Sequence, residues 1–208
     1  DWSVTSPPGY SAGPSGRRSR ISSRSTPTHL PVFAETGTIS SNVAETKTVS
    51  ATIDALALTP TVEVEFITGD FSLDLSEIAG DKSEVTADGV DLLGVTVTVR
   101  DGEGNPVEGA SVTLEASGSG NTIVDPVGVT AADGIAAGTI ASVVAEQKVV
   151  RARIEGSQMT DTLTVDWVPG PVDLAVSTIG VVPDTVIANG TDVTTVTVTA
   201  LDQYSNPV

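Results

Sequence analysis

A chain of 208 residues without Cys has no disulfide framework, thiolate metal site or cysteine nucleophile, and its one histidine, His29, cannot build a multi-histidine metal centre. Aromatic residues make up 3%, while Val, Thr and Ala dominate, which disfavours a helical core and favours short β-branched strands. The net charge is -17, and residues 35–208 alone hold six basic and 26 acidic side chains, a field that repels phosphate backbones and anionic lipid.

Residues 1–36 come first and stand apart. They are rich in Ser, Pro and Arg (Arg17, Arg18, Arg20 and Arg24) and carry no apolar core of the kind a secretory leader needs. Two readings fit this atypical segment: a disordered linker, or a sequence artefact such as a shifted reading frame. No apolar run in the chain approaches the length that crosses a bilayer as a helix, so these residues are not expected to insert into a membrane. An anchor and a leader, if the protein is exported, are expected elsewhere.

From Gly37 onward the chain repeats itself at a spacing of 101 residues without a gap. Gly37–Ile53 lies over Gly138–Ile154 with 11 of 17 positions identical, and Asp88–Val107 lies over Asn189–Val208 with 10 of 20. Between these windows Phe66, Gly69, Leu73 and Ser76 fall over Trp167, Gly170, Leu174 and Ser177. The register divides the chain into the C-terminal part of one module (37–69), a complete module (70–170) and the N-terminal part of another (171–208). The joints read Ile67–Asp70 and Val168–Pro171, each a glycine-containing turn after a strand, which suits a short semi-rigid connection.

Within the complete module, strands are expected at Phe71–Leu75, around Val95, Val97 and Val99, at Ser111–Glu115, Thr122–Val124, Val127–Thr130 and Gly138–Val143. Two more follow, one carrying Val150, Ala152 and Ile154 and one carrying Leu163, Val165 and Trp167. The apolar residues alternate with Thr, Arg and Asp, so these nine are the expected core positions. Asp88-Gly89, Gly102, Gly104 and Asp133-Gly134 supply turn chemistry between strands. Short strands between Gly, Pro and Asp turns over about 100 residues are the pattern of an Ig-like sandwich. The expected fold is all-β: Ig-like β-sandwich repeats in tandem, one complete module flanked by partial ones.

These residues also carry a family resemblance. The stretch from Asp88 to Gly118, continued by Asp133 to Gly156, resembles the first group of bacterial Ig-like domains, found in invasin and intimin. The marks are the Asp-Gly or Asn-Gly turn followed by Asp91 or Asp192, the Val-Thr-Val-Thr strand, and Asp101 or Asp202 with Asn-Pro-Val four residues on. The resemblance implies stacked sandwiches acting as stalk, spacer or adhesive rod of a bacterial cell-surface or secreted protein, anchored in the outer membrane or released. The implied partners are neighbouring Ig-like modules of the same chain and a host or environmental surface protein or glycan, with no nucleic acid. The alternative function is an accessory Ig-like spacer or carbohydrate-binding module of a large secreted enzyme.

The chain is not expected to be an enzyme or to need a cofactor, and no catalytic residue is assigned. His29 has no triad around it, and paired carboxylates such as Asp70 with Asp74 sit at alternate positions of a solvated face. Asp101, Glu103 and Asn105 place oxygen side chains at alternate positions, as the first part of a calcium loop does, but the downstream bidentate Glu and the flanking helices are missing. The loop is read as a turn, with calcium ligation as the alternative. Asn189-Gly190-Thr191 matches a glycosylation sequon and is read as a hairpin turn.

Overall fold

The computed structural model describes residues 36–53 and 56–208. The expectations for the segment before residue 36, His29 included, lie outside the described residues. Two compact units are present, one ending at Ile67 and one running from Thr68 to Val208, and among the described residues every regular element is a strand.

In the first unit β1 (Glu45–Val49) precedes the short β2 (Thr52–Ile53) and β3 (Leu56–Ala57), which pair with each other, and β4 (Val62–Phe66) returns antiparallel to β1. The second unit opens with β5 (Glu77–Gly80), β6 (Glu84–Thr86) and β7 (Leu93–Thr98). It continues through β8 (Val112–Ala116), β9 (Asn121–Val124), β10 (Ile135–Ser142), β11 (Gln147–Ile154), β12 (Ser157–Gln158) and β13 (Leu163–Val168). After Pro169-Gly170-Pro171, where the sequence placed a joint, come β14 (Thr178–Val182) and β15 (Thr195–Thr199), an antiparallel pair.

Strands β5 to β13 make two sheets. One has the order β5-β7-β10-β9; the other has β12-β11-β13-β6, with β8 also on β11 and β6 running parallel to β13. Side chains alternate across each strand, so every second residue enters the space between the sheets. Leu93, Val95 and Val97 of β7, Val150, Ala152 and Ile154 of β11, and Val165 and Trp167 of β13 are all buried there, with Val99 just beyond β7. Leu163, at the start of β13, is half-buried and packs against that cluster. The architecture is an all-β Ig-like β-sandwich.

Two expected strands differ. Phe71 makes only an isolated bridge to Asp101, and residues 72–76 close a turn. The Ser76 N–H and hydroxyl both donate to the Ser72 carbonyl, while the Ser72 hydroxyl accepts from the Leu75 N–H. Serine side chains placed to bond nearby backbone groups compete with a sheet ladder, and here they win. The strand begins only at Glu77. Val127–Thr130 is likewise mostly bend, with Val129 bridging to Ser111, because Pro126 and Gly128 (φ 85°) interrupt the run.

Candidate functional site

The chain leaves β13 through Pro169-Gly170-Pro171. Both prolines lack an N–H, so Gly170 carries the only backbone donor of this tripeptide. It donates to Asp202 Oδ2 at 3.0 Å, across 32 positions of sequence. The same bond occurs 101 residues earlier, where Gly69 N–H donates to Asp101 Oδ2 at 3.0 Å. In each case the carboxylate sits just past a Val-Thr-Val-Thr strand, and glycine leaves room for it: a Cβ at Gly170 would stand 3.8 Å from Asp202 Oδ2.

Each Asp is the centre of a tight loop. Asp202 Oδ1 accepts from the N–H groups of Tyr204 and Asn206, both at 2.9 Å, and Oδ2 accepts from Asn206 Nδ2 at 2.8 Å. The Asp202 N–H donates to the Asn206 carbonyl at 3.0 Å and Ser205 takes a left-handed backbone, φ 67°. Asp101 repeats the scheme with Glu103 N–H, Asn105 N–H and Asn105 Nδ2. Both carboxylates are 1% exposed. Burial pushes the Asp101 carboxyl up, but the Asn105 amide and the surrounding N–H donors outweigh it and hold it at about 2. Asp202 is lowered for the same reasons, with Asn206, Gly170 and Tyr204 as donors against the burial.

This geometry bears on the calcium alternative. Four N–H groups point at each carboxylate, and Asn105 offers Asp101 its amide nitrogen rather than its oxygen. Such a shell presents positive dipole ends where a cation would need ligands. Among the described residues no group of three or more His, Asp or Glu side chains is placed to hold a metal ion.

Asn206 does more than close its own loop. Its Oδ1 accepts from the Ala145 N–H at 2.9 Å, and its Nδ2 donates to the Val143 carbonyl at 3.0 Å. Val143 and Ala145 lie in the bend between β10 and β11 of the sandwich, so a side chain beyond the joint is bonded to a ledge before it. Asn206 is 6% exposed, and these bonds use both ends of its amide. Beside it Tyr204 approaches the Asp88-Gly89 turn: a Cβ at Gly89 would meet Val143 Cγ1 at 3.0 Å and Tyr204 Oη at 3.7 Å. In sequence the Asp101–Asn105 loop reads as a turn, and the repeat sets Asp202 and Asn206 over it. Their bonds to Gly170, Val143 and Ala145 left no mark of their own there, since the shared 32-residue offset from Gly69 to Asp101 and from Gly170 to Asp202 follows from the repeat alone.

The polar side chains that meet here are engaged in hydrogen bonds. Asp88, in the neighbouring Asp88-Gly89 turn, has Oδ1 occupied by the N–H groups of Val90 and Asp91. What the joint can do is hold two stretches of chain in one relation, through short bonds shielded from water.

Residues 75–166 match the family model of the bacterial Ig-like domain (group 1). The inverse autotransporter adhesin YeeJ of Escherichia coli (strain K12) is 29% identical over 174 residues, which covers 82% of this chain and 7% of that protein. Among solved structures, invasin, described as a bacterial integrin-binding protein, matches with a TM-score of 0.60 at 20% identity, over 79% of this chain and 33% of invasin. InvD of Yersinia pseudotuberculosis matches with a TM-score of 0.58 at 19% identity, over 80% of this chain and 52% of InvD. The structural matches speak for the fold alone. The chain spans only a small part of the adhesin it matches in sequence.

Proposed function

We propose that the chain is a spacer stretch of a bacterial adhesin, in which stacked sandwiches convert chain length into reach at the cell surface or in the secreted protein; the match of residues 75–166 to the group 1 bacterial Ig-like domain and the likeness to an inverse autotransporter adhesin support this reading. On this reading 37–69 and 171–208 are parts of two further modules on either side of the complete one, 70–170. Recognition of a host or environmental surface protein or glycan then belongs to the whole adhesin, and this stretch holds it away from the cell.

The observation that carries the proposal is the Asn206 bridge. A stalk needs joints that do not fold back, and a 6%-exposed amide bonded to Val143 and Ala145 on one side and to Asp202 on the other limits bending at Gly170. The 101-residue register gives the preceding module the same Gly-Asp-Asn set at Gly69, Asp101 and Asn105. Small-angle scattering on a polypeptide of four complete modules should show a rod whose longest dimension grows in proportion to module number. Replacing the joint Asn of each module by Ala should shorten it. A compact particle, or a rod indifferent to the replacements, would overturn the reading.

A further inference from the structure

We propose that Glu146 and Lys148 are positioning residues for the joint: an ion pair between a buried lysine and a half-exposed carboxylate that holds the Val143–Ala145 ledge in the shape that receives Asn206. The inference rests on the stalk reading above and assigns these two side chains a task within it.

Lys148 is out of place by composition. It lies in phase with Val150, Ala152 and Ile154 on the inner face of β11, and it is fully buried. An ammonium group there loses its water and must be compensated. Its Nζ donates to Glu146 Oε1 at 2.5 Å and to the Ser119 carbonyl at 2.8 Å, and it stands 5.9 Å from the centre of the Trp167 ring. With Glu146 half-exposed, the attraction within the pair is screened while the lysine bears its desolvation cost, so the pair is weak evidence for stability. A lysine kept at a core position therefore calls for a role other than stability, and the preceding repeat keeps one too: Lys47, buried, is paired with Glu45 and lies 6.0 Å from the Phe66 ring.

The partners of this pair point to the role. Glu146 Oε1 also accepts the Ser119 N–H at 3.0 Å, and the Glu146 carbonyl accepts the Trp167 N–H at 3.1 Å. Gly118 (φ 75°) admits the carboxylate, for a Cβ there would fall 2.0 Å from Glu146 Oε1. The Val143 N–H donates to the Gly120 carbonyl, and the Ser142 hydroxyl accepts from the Val144 N–H at 3.1 Å. The ledge is thus clamped from behind by the loop 117–120, and that loop is held by Glu146 and Lys148. The ledge's forward-facing groups, the Val143 carbonyl and the Ala145 N–H, are the two that Asn206 takes. Asp202 with Asn206 forms a plug, and Glu146 with Lys148 braces its socket.

The test reads amide hydrogen exchange by NMR on the full 208-residue chain. The Ala145 N–H donates to Asn206 Oδ1, so its protection reports the joint, while the ladder amides of Val97 and Val150 report the sandwich. Asn206→Ala sets the rate of an open joint. In Lys148→Met the Val97 and Val150 amides should stay protected while Ala145 exchange rises by about tenfold or more toward the Asn206→Ala rate. Glu146→Gln keeps an acceptor for Ser119 and removes the charge; it should give the same selective loss, and it decides the matter if Lys148→Met does not fold. Ala145 exchange unchanged in a folded variant, or loss spread equally over Val97 and Val150, would overturn the assignment. Either result leaves the stalk reading standing, since that falls only if the tandem modules form a compact particle or ignore the Asn replacements.

Discussion

Asp101 shows how backbone and amide donors keep a charge inside a β-sandwich. Its carboxyl titrates at about 2 in the fold against 3.8 when exposed. A depressed value means the folded state favours the ionised form, so the contribution is complete above pH 3.8 and is lost as pH falls through about 2. The shift corresponds to about 2 kcal/mol. In urea unfolding at pH 6, 4 and 2, the native chain should lose that much more stability on acidification than Asp101→Asn does. The substitution should itself lower stability at pH 6, because an amide turns N–H groups toward the donors of Gly69, Glu103 and Asn105. An equal acid slope in both proteins would refute the linkage.

At the scale of the strand, β7 and β15 make a natural comparison, since both read Val-Thr-Val-Thr. Val97 in β7 is fully buried between two sheets, and Val198 at the same place in β15 is 69% exposed, because no second sheet covers it among the described residues. Val97→Ala should cost about 2 kcal/mol, through lost burial plus the cavity left behind. Val198→Ala in this chain should stay within about 0.5 kcal/mol, as for other exposed sites. Denaturant midpoints of the two variants check this, and equal losses would mean that β15 has a cover. The alternation that names these residues is local, so the strands around Val95, Val150 and Leu163 were legible in sequence. The turn at 72–76 was not, because the same apolar and polar residues suit either state and two serine hydroxyls tip the balance.

For the molecule as a whole the governing quantity is charge. With net charge -17, mutual repulsion among carboxylates opposes compaction, and salt should relieve it. Melting temperature should rise by a few degrees between roughly 0.01 and 1 M NaCl, as the screening length falls from about 30 to about 3 Å. CaCl2 at matched ionic strength should do no more than NaCl, given the N–H shells around Asp101 and Asp202. An extra rise with calcium would reveal a bound cation and revive the loop at Asp101, Glu103 and Asn105 as its ligand set.

The amino-acid sequence by itself determined the class of fold and its period, because both follow from local rules. Alternation of Val with Thr specifies a strand with one buried face, Gly and Asp specify the bends, and identity at a spacing of 101 residues sets like segments in one register. Tertiary structure alone decided which copies of that pattern find a cover and what the polar residues between them do. Asp202 and Asn206 look like any turn until Gly170, Val143 and Ala145, distant in the chain, are brought within 3.0 Å of them. Lys148 looks like an error in a core strand until Glu146, Ser119 and Trp167 surround it. Hydrogen-bond partners separated by tens of residues leave no periodic trace, so the joint becomes visible only when the sheets have packed.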